Sequence, residues 1–130
     1  MRTNQHRYRW LQTRVSPSGS RRIVVLTGAR QTGKTTLARE CYPSLRYVNL
    51  DSIEEREALK GTRTAAWASS VGPAIVDEAQ KEPSVFEKVK WAFDAGGLDF
   101  TVLLGSSRIL LLDQVRETLA GGRFCMISGR

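Results

Sequence analysis

The stretch that decides the fold is Ile23-Val-Val-Leu-Thr27-Gly28-Ala29-Arg30-Gln31-Thr32-Gly33-Lys34-Thr35-Thr36. Residues 23–27 are a short β-branched and aliphatic run, which suits a strand buried on both faces. Gly28 to Thr35 fits the pattern G-x-x-x-x-G-K-[ST], a loop whose backbone N–H groups cradle a phosphate. Gly28 and Gly33 permit the backbone angles and close approach that such a cradle needs, and the N-terminus of the following helix adds partial positive charge. Lys34 can reach the β- and γ-phosphates of a nucleotide, and Thr35 supplies a hydroxyl for Mg²⁺. Ala29, Arg30, Gln31, Thr32 and Thr36 complete the predicted binding segment. Helical spacing begins at Lys34, with Leu37 and Cys41 four apart, and Pro43 stops it.

Outward from this unit, strand and helix signals alternate. Residues 45–50 read as a second strand. Ser52 with Glu55 forms a capping-box pattern opening a charged helix that ends near Gly61. A further helical piece is expected around residues 65–68, and Gly72-Pro73 precedes a third strand at residues 74–76. Pro83-Ser84 with Glu87 reads as another capping box. It opens a helix with Val85, Phe86, Val89, Ala92 and Phe93 on one side, ended by Gly96-Gly97. Residues 100–104 give a fourth strand. Leu111 or Leu112, Val115 and Leu119 mark a last helix, and residues 123–128 a short fifth strand. Such alternation predicts an α/β fold, a parallel sheet of about five strands covered on both faces as a three-layer α/β/α sandwich. Ligands of these sheets bind outside the carboxyl ends of the strands.

Those ends carry the remaining candidates. Asp77 and Glu78 close the third strand, 43 residues after Lys34. Neighbouring strand residues face opposite ways, so Asp77 is assigned to the Mg²⁺ shell and Glu78 to orienting the attacking water, the alternative being a solvated acidic turn. Ser106 and Ser107 end the fourth strand. One hydroxyl there could sense the γ-phosphate, and the other reading is a cap for the next helix. Arg123 is a candidate to stabilise transition-state charge in a neighbouring subunit's site, against a merely solvated arginine.

The 130-residue length allows one domain, and 41% hydrophobic with 25% charged residues is ordinary globular usage. No aliphatic run approaches the ~20 residues of a membrane helix, and no apolar signal-peptide core follows Met1, so the expected location is the cytoplasm. Cys41 and Cys125 are far apart and His6 is near neither, which argues against zinc. The net charge of +7 is concentrated in residues 1–22, which hold six arginines and no acid. The remaining basic and acidic residues nearly cancel. A basic arm (residues 1–20) is therefore separated from a nucleotide-binding core (residues 21–130).

Taken in order, GARQTGKTT, YVNLD, IVDEAQ, LLGSS and VRETLAG resemble the AAA+ superfamily, specifically prokaryotic AAA-domain ATPases whose fuller chains carry a C-terminal domain of uncharacterised function. The resemblance covers residues 20–122. It implies a P-loop NTPase sheet in the order 5-1-4-3-2, Walker A at residues 28–35, Walker B at residues 75–78, a sensor at Ser106 or Ser107, and an LAGR-like arginine at Arg123. It also implies ATP and Mg²⁺ as cofactors and a homo-oligomer as the working state. Two departures stand out: an extra glycine before Arg123, and an end at Arg130 where family members continue into a helical lid. A truncated or frame-shifted reading frame is the expectation for that end. Mg²⁺-dependent ATP hydrolysis is the leading reading. The alternatives are a non-hydrolysing nucleotide-binding remnant and a nucleic-acid module that binds DNA through the basic arm. A helicase suggested by Asp77-Glu-Ala-Gln80 would need a second RecA-like domain, which the length forbids.

Overall fold

Alternate residues of the first strand leave for opposite faces of a sheet and end in two separate apolar cores. The computed structural model describes residues 22–28, 33–115 and 124–128. Strand β1 (Arg22–Thr27) sends Ile23 and Val25 into a core with Trp67, Phe86 and Val89, and Val24 and Leu26 into one with Ala38, Tyr42 and Ile75. All four aliphatic residues are buried, as a doubly covered strand requires. Each is worth about 1.5–3 kcal/mol relative to exposure.

The remaining elements are α1 (Lys34–Cys41), β2 (Arg46–Asn49), α2 (Ile53–Gly61), a 3₁₀ turn (Thr64–Ala66) running into α3 (Trp67–Ser70), and β3 (Ala74–Asp77). A second 3₁₀ turn (Ala79–Lys81), α4 (Ser84–Asp94), β4 (Phe100–Gly105), α5 (Arg108–Gln114) and β5 (Phe124–Ser128) complete the order. The five strands pair in parallel in the order β2-β3-β4-β1-β5. Read from the other edge this is the predicted 5-1-4-3-2. Helix α1 packs on one face, and α2, α3, α4 and α5 contribute Leu59, Trp67, Phe86 and Leu111 to the core of the other. The three layers are those predicted.

Helix boundaries follow local chemistry with one correction. Ser52 caps α2, accepting from the Glu55 N–H at 3.3 Å, while the Glu55 carboxylate turns to the Asn49 N–H. The box expected at Ser84 does not form. Pro83 already has helical angles (φ −58, ψ −26), so the helix begins one residue early and Ser84 lies inside it, its hydroxyl donating to Glu82 at 2.7 Å. Gly96 takes φ +85 and ends α4 as expected. Leu119, Gly121 and Gly122 lie outside the described residues. Among the described residues no helix is long and apolar enough to cross a membrane.

A lysine is built into the helical layer. Lys88, on α4, is buried and donates to the carbonyl oxygens of Leu59 (2.8 Å) and Lys60 (2.7 Å) at the end of α2. Burial pushes its ammonium below the ordinary 10.5, with Glu82 opposing. The contact pairs the Lys60 carbonyl, one of those that a helix leaves without a partner at its C-terminus, and adds a second donor to that of Leu59, which also accepts from the Thr62 N–H at 3.2 Å. Lys88→Met keeps most of the aliphatic stem but removes the donor, so we expect a loss of about 1–3 kcal/mol, chiefly from the Lys60 carbonyl, since that of Leu59 keeps the Thr62 N–H. Urea denaturation checks it, and an unchanged midpoint would refute the cap.

Candidate functional site

The carboxyl ends of β1, β3 and β4 meet at one edge of the sheet. Thr27 stands opposite Gly105 in the parallel register, and the Gly28 N–H donates to the Gly105 carbonyl at 3.3 Å. Gly33 takes the left-handed conformation (φ 79, ψ 15) that no β-carbon favours, and the chain turns there into α1. Lys34 is the first residue of that helix and Thr35 the second. Ala29, Arg30, Gln31, Thr32 and Arg123 lie outside the described residues.

Thr35 and Asp77 are brought together. The Thr35 hydroxyl donates to Asp77 Oδ2 at 2.7 Å across the gap between α1 and β3. With its proton given to the carboxylate, the Thr35 oxygen keeps lone pairs for a cation. A second hydroxyl, from Tyr47 on β2, donates to the same Oδ2 at 2.7 Å. Asp77 is 5% exposed, and its Oδ1 is buried with no hydrogen-bond partner among the described residues. A stranded carboxylate oxygen is costly in a protein interior unless a cation or water completes it. The oxygen donors of Thr35 and Asp77 are the chemistry Mg²⁺ takes together with phosphates, so the residues present fit that ion.

Glu78 has different neighbours because of its backbone. It adopts φ 56, ψ 44, a left-handed conformation rare for a residue with a side chain, at a cost of about 1–2 kcal/mol. The kink turns the chain from β3 into the 3₁₀ turn. There Glu78 Oε1 accepts from Ser106 at 2.9 Å and from Gln80 Nε2 at 2.7 Å. Glu78 as a whole is 4% exposed. The two serines have different partners: Ser106 donates to Glu78, whereas Ser107 Oγ accepts from the Leu110 N–H at 3.4 Å at the start of α5, as a helix cap does.

Two site residues were not anticipated from sequence, Tyr47 and Gln80. Burial, then the bond to Asp77, pushes the Tyr47 phenol well above its ordinary 10, so it remains a donor throughout the neutral range. Gln80 is wedged against the end of β4, where a β-carbon on Gly105 would lie 2.5 Å from Gln80 Oε1 and 2.9 Å from Leu111 Cδ2. Glycine at 105 is thus what admits the amide. At the far end of α1, burial and the nearby Glu40 push the Cys41 thiol up to about 11, which makes it a poor nucleophile.

A parallel sheet with a phosphate-type loop after its first strand and an acidic pair after its third defines an α/β nucleotide-binding domain of the P-loop class. The chain belongs to the AAA domain family, whose model matches residues 20–126. Among solved structures it is similar to the ORC2 protein of Aeropyrum pernix in its ADP form, at 16% identity and a TM-score of 0.50, over 95% of this chain and 46% of that one. Another similar structure is Trip13 from Rhizobiales, at 20% identity and a TM-score of 0.47, over 95% of this chain and 54% of that one. The chain therefore spans about half the length of these structures. No curated protein matches it.

Proposed function

We propose that the chain binds ATP with Mg²⁺ and hydrolyses it, as the nucleotide-binding core of an AAA+ ATPase. The observation that carries this is the Thr35–Asp77 hydrogen bond with Asp77 Oδ1 left unpartnered beside it. Backbone N–H groups of residues 28–35, Lys34 and the α1 N-terminus would hold the phosphates. Thr35 and Asp77 would hold Mg²⁺, which when bound neutralises phosphate charge as the terminal phosphoryl group leaves. Glu78 orients and polarises the attacking water. Ser106 and Gln80 keep its Oε1 in place, leaving Oε2 for that water. Adenine as the base rests on the family and is in keeping with the ADP form of the ORC2 structure.

Arg123 from a neighbouring copy would complete the charge stabilisation, so turnover should rise with protein concentration in a homo-oligomer. The test is ATP binding with and without Mg²⁺ on this chain, with oligomeric state and phosphate release read in the same sample. Binding strengthened by Mg²⁺ together with turnover is expected. Binding without turnover at any protein concentration would leave the non-hydrolysing remnant instead, and no binding would remove both.

Gly105→Ala offers a finer check on Glu78. The new methyl displaces the ends of two flexible side chains, Gln80 and Leu111, at a cost of about 1–2 kcal/mol in stability. Because Gln80 can no longer reach Glu78, turnover should fall about tenfold, the equivalent of one hydrogen bond to a charged group. Gln80→Ala should match it without the stability cost. Parallel rate and melting measurements decide, and full turnover in both variants would refute the role of Gln80.

A further inference from the structure

We infer that Tyr47 is a positioning residue for the cation-binding carboxylate: its hydroxyl fills Asp77 Oδ2 beside that of Thr35 and so reserves Oδ1 for Mg²⁺. The inference rests on the Mg²⁺-nucleotide reading above and goes beyond it to a residue on β2, which β3 and β4 separate from β1 in the sheet.

A carboxylate oxygen offers two lone-pair sites, and on Asp77 Oδ2 both are taken, by Thr35 and by Tyr47, each at 2.7 Å. With Thr35 alone, the carboxylate could turn about its Cβ–Cγ bond and exchange oxygens. The second donor comes from a different element, so rotation now breaks two hydrogen bonds at once. Oδ1, buried and unpartnered among the described residues, is then the oxygen left for the ion. Tyr47 is itself fixed. It packs, as Leu37 and Cys41 do, against the buried core that holds Ile75 on the α1 face of the sheet, and the Arg39 guanidinium lies 4.5 Å from the ring centroid. The strand register explains the reach. Tyr47 pairs with Ile75 and Asn49 with Asp77, so the long phenol extends along the same face to a carboxylate two residues further on.

Groups that orient a metal ligand from behind typically cost 10–100-fold in metal affinity when removed. Tyr47→Phe deletes only the hydroxyl and retains the ring. Nucleotide affinity of the full 130-residue chain would be measured with ADP by calorimetry, first in EDTA and then across a MgCl₂ titration. For Tyr47→Phe we expect wild-type ADP affinity in EDTA and a half-saturating Mg²⁺ concentration raised at least tenfold. MnCl₂ followed by paramagnetic resonance gives the same comparison without turnover. Equal weakening with and without Mg²⁺ would mean that Tyr47 merely supports the fold, and an unchanged Mg²⁺ midpoint would mean that Thr35 alone orients Asp77. Either result overturns the inference. A wild-type chain that binds ADP without any response to Mg²⁺ would instead refute the cation reading itself, and the role of Tyr47 with it.

Discussion

Glu78→Gln should leave ATP bound and slow its turnover by about 10²–10⁴-fold, the range a positioned general base contributes. The substitution is nearly isosteric. A glutamine carbonyl oxygen can still accept from Ser106 and Gln80, which reach Glu78 Oε1 at 2.9 and 2.7 Å. What disappears is the negative charge that polarises water. The left-handed backbone at residue 78 is unaffected, and burying an amide in place of a carboxylate at 4% exposure removes a desolvation penalty. Folding stability should therefore hold or rise, and bound ATP should persist longer because it leaves only by dissociation and no longer by hydrolysis. Single-turnover phosphate release and a nucleotide-dissociation chase measure the two effects. Turnover within threefold of wild type would exclude Glu78 as the water-orienting group and leave the acidic pair with Asp77 alone as functional.

The contrast between Asp77 and Glu78 shows how much of the site the chain discloses before folding. That both acids lie at the end of a strand, downstream of a phosphate-loop sequence pattern, is legible from the aliphatic run at residues 74–76 and the spacing to Lys34. The strands, their order and the two-faced burial follow from alternation and from the family resemblance. Their separate partners do not follow, because the division depends on a left-handed kink at Glu78, a conformation that side-chain chemistry does not advertise. Tyr47 is invisible for another reason. In sequence it is one aromatic residue in a strand, and only the register of β2 on β3 puts its hydroxyl at Asp77. Gln80 was noticed as a letter in Asp77-Glu-Ala-Gln80, but its contact requires the 3₁₀ turn and the bare Cα of Gly105. Lys88 did leave a sequence signal. It lies three residues after Val85 and four before Ala92 on the apolar side of α4, where a lysine needs a partner.

Lys34→Ala should weaken nucleotide binding by about 10–150-fold, the equivalent of the 1.5–3 kcal/mol that a hydrogen bond to a charged group carries. The fold should survive. Lys34 opens α1 behind the left-handed Gly33, and alanine is the best helix former available to replace it. The signature that separates this loss from others is its indifference to magnesium. On the proposed function the ammonium acts on the phosphates directly, and Asp77 and Tyr47 through the cation, so Lys34→Ala should weaken ADP binding by a similar factor in EDTA and in MgCl₂. Lys34→Arg should recover only part of the loss, since a planar guanidinium presents a different donor geometry from a compact ammonium. Calorimetric titrations of both variants under the two conditions decide the matter. Wild-type affinity in Lys34→Ala under both would mean that the loop after β1 does not bind phosphate, and the function would have to be sought away from the carboxyl edge of the sheet.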